Sequence, residues 1–301
     1  PDGNGWINYN DLTPVTNWTA NGGLVQLMWH FNVPTSESVT PGTDGSGVTC
    51  SPEQTTFKAA NALVADTWEN KWFYGQMERV TDVLLQLQQK GVSAVWRPFH
   101  EAAGNAELKS GASWGKSWFW WGEGGATTYR ALWQAMFDYF QQRGVHNLIW
   151  VWTTQNYNGD ATQYNDDSAW YPGDQYVDII GRDLYGSNAE QNKQEFDEIT
   201  ARYPGKLVAL AECGNSGDSP FSNISEIWNA GAKWAWFCPW YGNNMPSEAW
   251  WKDAMSQDFV ISRDDVNLNV TYLEESAVAA VKNMGLGFNL GNTLDAHGDY
   301  I

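Results

Sequence analysis

The strongest constraint on this chain is a repeated alternation between short apolar runs and amphipathic helical stretches. Six runs read as strands: GLVQLMWH (Gly23 to His30), GVSAVWRPFHE (Gly91 to Glu101), NLIWVWTT, VDIIGRDLYG, KLVALAECG and AKWAWFCPWYG. Each is nearly continuous in apolar residues, as expected of strands covered on both faces of a parallel sheet. Between them lie helical patterns. In QMERVTDVLLQLQQKG, Met77, Val80, Val83, Leu84 and Leu87 fall on one face, and Gly91 is placed to close the C-terminus. Leu132, Trp133, Met136, Phe137 and Phe140 repeat the arrangement ahead of Gly144. Such alternation implies parallel strands joined by right-handed crossovers. A run this long in a single sense predicts an α/β fold of the (β/α)8 TIM-barrel type rather than a doubly wound sheet, and 301 residues suit one such barrel. Neither a Rossmann nor a P-loop glycine pattern follows any strand, which argues against nucleotide binding.

In a barrel the C-terminal ends of the strands carry the chemistry. His30, Arg97, His100, Glu101, Asp183, Tyr185, Glu212 and Trp240 all sit at or just after strand ends. Glu101 and Glu212 each follow apolar sequence, so neither reads as a solvated surface acid. Two carboxylates facing each other across a sugar are what glycoside hydrolysis requires, one protonated and one ionised. Taken singly, either Glu could be half of a structural ion pair with Arg97. His30 could likewise be a satisfied core histidine, Asp183 a structural anchor and Trp118 rim packing.

Aromatic content bears on the substrate. With 20 Trp and 13 Tyr, and an indole N–H that needs a partner when buried, many of these rings are expected to line a surface on which a pyranose can stack. Others should fill the core. The formal charge of -18 would repel DNA and RNA and suits a neutral partner. No apolar run is long enough to span a bilayer. Cys50, Cys213 and Cys238 have neither zinc-ligand spacing nor a disulfide framework. Cys213 and Cys238 follow successive strands and are expected as buried free thiols.

Four segments carry a family resemblance: WRPFHE, WFWWG (Trp118 to Gly122), GVHNLIWVW (Gly144 to Trp152) and WHFNVP (Trp29 to Pro34). Together they resemble glycoside hydrolase family 26, a clan A family of (β/α)8 barrels dominated by endo-β-1,4-mannanases. The resemblance spans roughly Trp6 to Arg263. It implies Glu101 as acid/base and Glu212 as nucleophile. It implies that Tyr185 hydrogen-bonds the nucleophile, with Asp183 beside it. His100 would lie near the sugar 2-hydroxyl or orient the nucleophile. His30, Trp118 and Trp240 match sugar-contacting positions, and Arg97 would fix the charge of one Glu. The expected substrate-binding set is therefore His30, Arg97, His100, Trp118, Asp183, Tyr185 and Trp240, with no metal or organic cofactor.

Two departures stand out. GNAELKSGASWGKS (Gly104 to Ser117) is longer than the shortest family pattern, and the strand series starts where the family's third strand belongs, so the barrel is expected to lack its first two strands in this chain. KNMGLGFNLGNTLDAHGDYI (Lys282 to Ile301) instead resembles the opening strand of a family 5 glycoside hydrolase. The expected organisation is a barrel over 1–263, a linker over 264–281 and the start of a second hydrolase module over 282–301. The tail strand could alternatively fill part of the gap in the sheet. The implied protein is a secreted, cell-surface or periplasmic retaining endo-β-1,4-mannanase acting on β-mannan. It would carry a covalently linked second hydrolase module and have no nucleic-acid or membrane partner. The alternatives are a glycanase of the same fold acting on xylan or mixed-linkage glucan, and a non-catalytic carbohydrate-binding barrel.

Overall fold

The computed structural model describes residues 11–42, 45–104, 117–155 and 167–265, and the backbone of 286–288. Residues 105–116, residues 266–281 of the expected linker, and all but 286–288 of the C-terminal segment over 282–301 fall outside the described residues.

All six predicted strands form: β1 (Val25–Trp29), β2 (Ala94–Pro98), β3 (Leu148–Thr154), β4 (Ile179–Tyr185), β5 (Leu207–Gly214) and β6 (Trp236–Pro239). They lie side by side in sequence order, every pair parallel. A doubly wound sheet would reverse its strand order part-way. Here the order never reverses, and the sheet is that of a (β/α)8-type barrel. A two-residue antiparallel ladder, Val33–Pro34 with Val48–Thr49, hangs off the end of β1.

Beyond β6 lie two short strands, β7 (Val260–Ile261) and β8 (Leu286–Phe288). β8 pairs in parallel with both: Gly287 opposite Trp236 and Phe288 opposite Phe237 on one side, Leu286 opposite Val260 on the other. The tail strand thus stands against β6, where a closing barrel strand would pair.

Helices pack between the strands as the periodicity predicts. In α2 (Trp68–Gln89), Met77, Leu84 and Leu87 are buried, and the helix begins earlier than the quoted pattern because Thr67 caps it, its side chain accepting from Asn70 N–H at 3.1 Å. In α4 (Gly125–Gln142), Leu132, Trp133, Met136 and Phe140 face the core. Gly91 and Gly144 follow these helices at φ 74° and 82°, a left-handed conformation that favours glycine at a helix end. Asn188 and Gln191 form a reciprocal capping box at the start of α5 (Ala189–Arg202).

The aromatic residues go mainly inward, contrary to the expectation that many line a surface. Trp120, Trp121, Trp133 and Trp152 are fully buried, and Trp118 is the one described tryptophan that is more than a third exposed. Three of these indole N–H groups donate to backbone carbonyls, Trp120 to Phe31 O at 2.5 Å, Trp121 to His100 O at 2.9 Å and Trp133 to Tyr176 O at 3.1 Å. Cys213 and Cys238 are buried free thiols, and Cys50 is a half-buried one.

β4 and β5 do not stay in simple register. Arg182 pairs with Leu210, yet the next residue, Asp183, pairs with Glu212, so Ala211 is an extra residue in β5. Such a bulge re-aims the residues after it, and here it sets Asp183 beside Glu212. Gly181 makes room for it: a Cβ there would come within 2.9 Å of both Ala211 Cβ and Val151 Cγ1. Neither neighbour is a flexible chain end. Gly181→Ala is therefore expected to destabilise the fold by about 1–3 kcal/mol, measured by urea denaturation. A change within about 0.5 kcal/mol, the usual range of surface substitutions, would contradict this packing.

Candidate active site

An apolar strand ends here in charged residues because its C-terminal end opens on the barrel mouth and its backbone turns sharply. Phe99 and Glu101 adopt φ 47° and 49°, which few residues other than glycine do. The surroundings hold this conformation in place. The Phe99 ring is buried, stacked on Phe31 with centroids 6.0 Å apart and edge-on to Trp120 at 5.9 Å. Its carbonyl accepts from Tyr129 Oη at 3.1 Å, and Gly104 N–H donates to Gln155 Oε1 at 2.6 Å. The turn leaves His100 buried and Glu101 partly exposed at the mouth.

Four successive strands each send one polar side chain to a common point. Arg97 (β2) is completely buried. Its Nε donates to Thr153 Oγ1 (β3) at 2.8 Å and its Nη1 to Glu212 Oε1 (β5) at 2.6 Å. Its Nη2 makes a short ion pair with Asp183 Oδ2 (β4). Nη1 also lies 2.9 Å from Met28 Sδ of β1. The second oxygen of Glu212 accepts from Tyr185 Oη at 2.6 Å. Both oxygens of Glu212 are thus held by donors that favour a carboxylate.

Glu101 has the opposite environment. One oxygen each from Glu101, Asp183 and Glu212 lie within 4.8 Å of one another. Burial, together with the charges of Asp183 and Glu212, holds Glu101 well above the usual carboxylate range, and Arg97 offsets only part of this. Asp183 Oδ2 takes Arg97, while Oδ1 is buried with no other donor in reach. A hydrogen bond between the Glu101 and Asp183 carboxyl groups raises Glu101 and lowers Asp183. Burial nevertheless pushes Asp183 up to about 7 against the pull of Arg97. For Arg97 burial works against the charge, but Asp183 and Glu212 outweigh it and raise its pKa. Tyr185 is likewise raised, by burial and then by the neighbouring carboxylates.

Two histidines form the next wall. The His30 and His100 rings are 4.7 Å apart, and burial favours the neutral form of each. Phe119 covers both, its centroid 5.7 Å from His30 and 4.8 Å from His100. Sequence reasoning singled out Trp118 from WFWWG and missed Phe119. The backbone is extended at Phe119 (φ -123°, ψ 151°), so consecutive side chains point apart. Phe119 goes inward onto the histidines and stacks on Trp121 at 4.3 Å, while Trp118 stays exposed. Trp240 follows β6, anchored by its N–H to Cys213 O at 2.7 Å, with its ring 5.2 Å from the exposed ring of Tyr241.

Arg97 and Asp183, grouped with the sugar contacts from the sequence, have side chains no more than 1% exposed and face other site residues. Their burial fits anchors better than sugar contacts. Arg97 moreover holds two carboxylates where one was expected. Thr153 and Met28 also escaped notice, since a Thr or Met at a strand end carries no signal by itself. The three carboxylates could offer oxygens to a metal ion, but the Arg97 guanidinium already sits between two of them and would repel a cation.

Residues 6–265 match glycosyl hydrolase family 26. The chain belongs to that family. Among solved structures it is 60% identical to the family 26 domain of an endo-β-mannanase/endo-β-glucanase from Prevotella bryantii, with a TM-score of 0.85, covering 88% of this chain and 79% of that one. The larger Prevotella bryantii protein that contains a family 5 part is 61% identical at a TM-score of 0.85, over 98% of this chain and 43% of that one. A mannan endo-1,4-β-mannosidase of Thermothelomyces thermophilus is 28% identical over 257 residues, 81% of this chain and 46% of the relative. The chain spans less than half the length of the curated relatives it matches first.

Asp183 gives the site a pH signature. Its carboxyl moves from 3.8 to about 7 on folding, so the folded state holds a proton that the unfolded state has released between those values. The stabilisation is complete below about 4 and is lost as pH rises through about 7. Asp183→Asn is expected to flatten the decline in unfolding free energy across that window, measured by urea denaturation at a series of pH values. An unchanged slope would contradict the burial of an ionisable Asp183.

Proposed function

We propose that this chain is the catalytic barrel of a retaining endo-β-1,4-mannanase. The observation that carries the reading is the spacing of Glu101 and Glu212, whose oxygens approach within 4.8 Å in opposite proton environments. Retaining glycosidases place the two carboxyl groups about 5–5.5 Å apart, whereas inverting ones need about 6.5–9.5 Å to admit a water. Glu212, its two oxygens oriented by Arg97 and Tyr185, attacks the anomeric carbon. Glu101 gives its proton to the glycosidic oxygen as that bond breaks. Water then enters, Glu101 takes its proton, and the hydroxide oxygen displaces Glu212 from the anomeric carbon. His30, His100 and Phe119 form one wall for the sugar, and the adjacent rings of Trp240 and Tyr241, directly after β6, offer a further stacking surface.

Mannan as the polymer is supported by the names of the relatives. A purely sugar-binding barrel has no need to gather three carboxyl groups around one buried arginine and hold Glu101 well above the usual carboxylate range. The tail from Lys282 onward, and the match of nearly the whole chain to a two-enzyme protein, support a second hydrolase module linked after 264–281. Secretion fits the acidic surface and a polymeric substrate that cannot enter a cell intact.

The test is reducing-sugar release from linear mannan, galactomannan, xylan and mixed-linkage glucan. Release is expected from the mannans and is expected to vanish in Glu212→Ala. Glu101→Ala should lose about 10²–10⁴-fold on polymer yet retain a first-turnover burst from aryl mannosides whose leaving groups need no proton, with later turnovers slowed because the base of the second step is gone. Release from xylan or glucan alone would replace the substrate, and silence on all four would favour the binding barrel.

A further inference from the structure

Three side-chain oxygens hold Arg97, with Met28 Sδ also beside Nη1, and only two of the three oxygens are charged. Asp183 and Glu212 grip the two Nη ends of a planar guanidinium, which leaves it free to pivot about the line joining them. The third contact removes that freedom: Nε donates to Thr153 Oγ1 at 2.8 Å, and both residues are buried. Thr153 is on β3, between the strand that carries Arg97 and the strand that carries Asp183. Its backbone pairs with Gly181, the residue whose missing side chain admits the bulge beside Asp183. A hydroxyl here is therefore placed to fix the plane of the cation, and with it the division of one positive charge among the site's carboxyl groups.

We propose that Thr153 is a positioning residue for the reaction, acting through Arg97 to fix the charge balance of the Glu101–Asp183–Glu212 cluster. The inference rests on the hydrolytic reading above. Without the hydroxyl, Nε–H is left buried and unpaired, which costs more than the lost bond. The guanidinium shifts, and its hold on Asp183 and Glu212 loosens together. The groups facing the Glu101–Asp183 pair are Arg97 from β2, Glu212 and Cys213 from β5, Tyr185 and Arg182 from β4, and the neutral His30 and His100. Arg97 is the cation that pulls both members of the pair down. A displaced Arg97 leaves the pair holding its protons to higher pH. Because the two groups interact, the shift belongs to the pair as a whole.

Thr153→Ala and Thr153→Ser both remove the methyl group and share its packing cost, so only the hydroxyl separates them. Thr153→Ala is expected to lower kcat on mannan about tenfold with KM within about twofold. The alkaline limb of its pH profile should move up by about 0.5–1 unit, a fraction of what a full opposite charge contributes. Thr153→Ser should restore both. The same shift should appear in a carboxyl-carbon NMR titration of aspartate-labelled protein, the Asp183 signal being assigned by its loss in Asp183→Asn. That readout needs no substrate. If wild-type protein cleaves none of the four polymers, the hydrolytic reading fails while the titration still decides the role of Thr153. Identical pH limbs and identical titrations for the Ala and Ser variants would overturn the proposal and leave Thr153 as packing alone.

Discussion

A single guanidinium, wholly buried, faces three carboxyl groups at the mouth of the barrel, and the rest of the site is arranged around that imbalance. One cation beside two neutral imidazoles cannot offset three negative charges in a site removed from water. The cluster therefore keeps a proton. Arg97 and Tyr185 satisfy both oxygens of Glu212, and Arg97 takes one oxygen of Asp183. The proton is left to Glu101, the carboxyl nearest solvent. Two identical side-chain types thereby stand in different electrostatic surroundings, with no difference in their covalent chemistry.

Three backbone irregularities make this convergence possible. The extra residue Ala211 brings Asp183 opposite Glu212, where regular pairing would have set Asp183 opposite Ala211. Arg182, on the opposite face of the strand, instead pairs with Glu195 of α5 at 2.9 Å. Gly181 gives the bulge its space. The left-handed turns at Phe99 and Glu101 aim the acid across the mouth. The turn at Phe99 is held by the rings of Phe31 and Trp120 packed against it. The many tryptophans thus serve mainly as a rigid floor under the site, with fewer than expected left at its surface.

The six strands, their parallel order and the two principal helices were legible in the sequence because each writes a periodic apolar pattern. Glu101, Glu212, His30, His100, Tyr185 and Trp240 were legible because polar residues directly after such runs stand at the reactive end of a barrel. Thr153 and Met28 were not, since nothing in a Thr or a Met at a strand end announces a partner on the neighbouring strand. Phe119 was hidden by its more conspicuous neighbour Trp118, because which of two adjacent rings turns inward depends on the backbone conformation between them.

The sequence by itself determined the architecture, since apolar periodicity and strand order are local properties that survive in one dimension, and it determined which strand ends carry ionisable groups. Only the tertiary structure decided which of those groups meet and in which protonation state. That Arg97 bridges Asp183 and Glu212, that Asp183 is an anchor beneath the mouth, and that β8 stands beside β6 all depend on register across strands far apart in the chain. Electrostatic roles are set by distance and burial, and both exist only once the sheet has closed those separations.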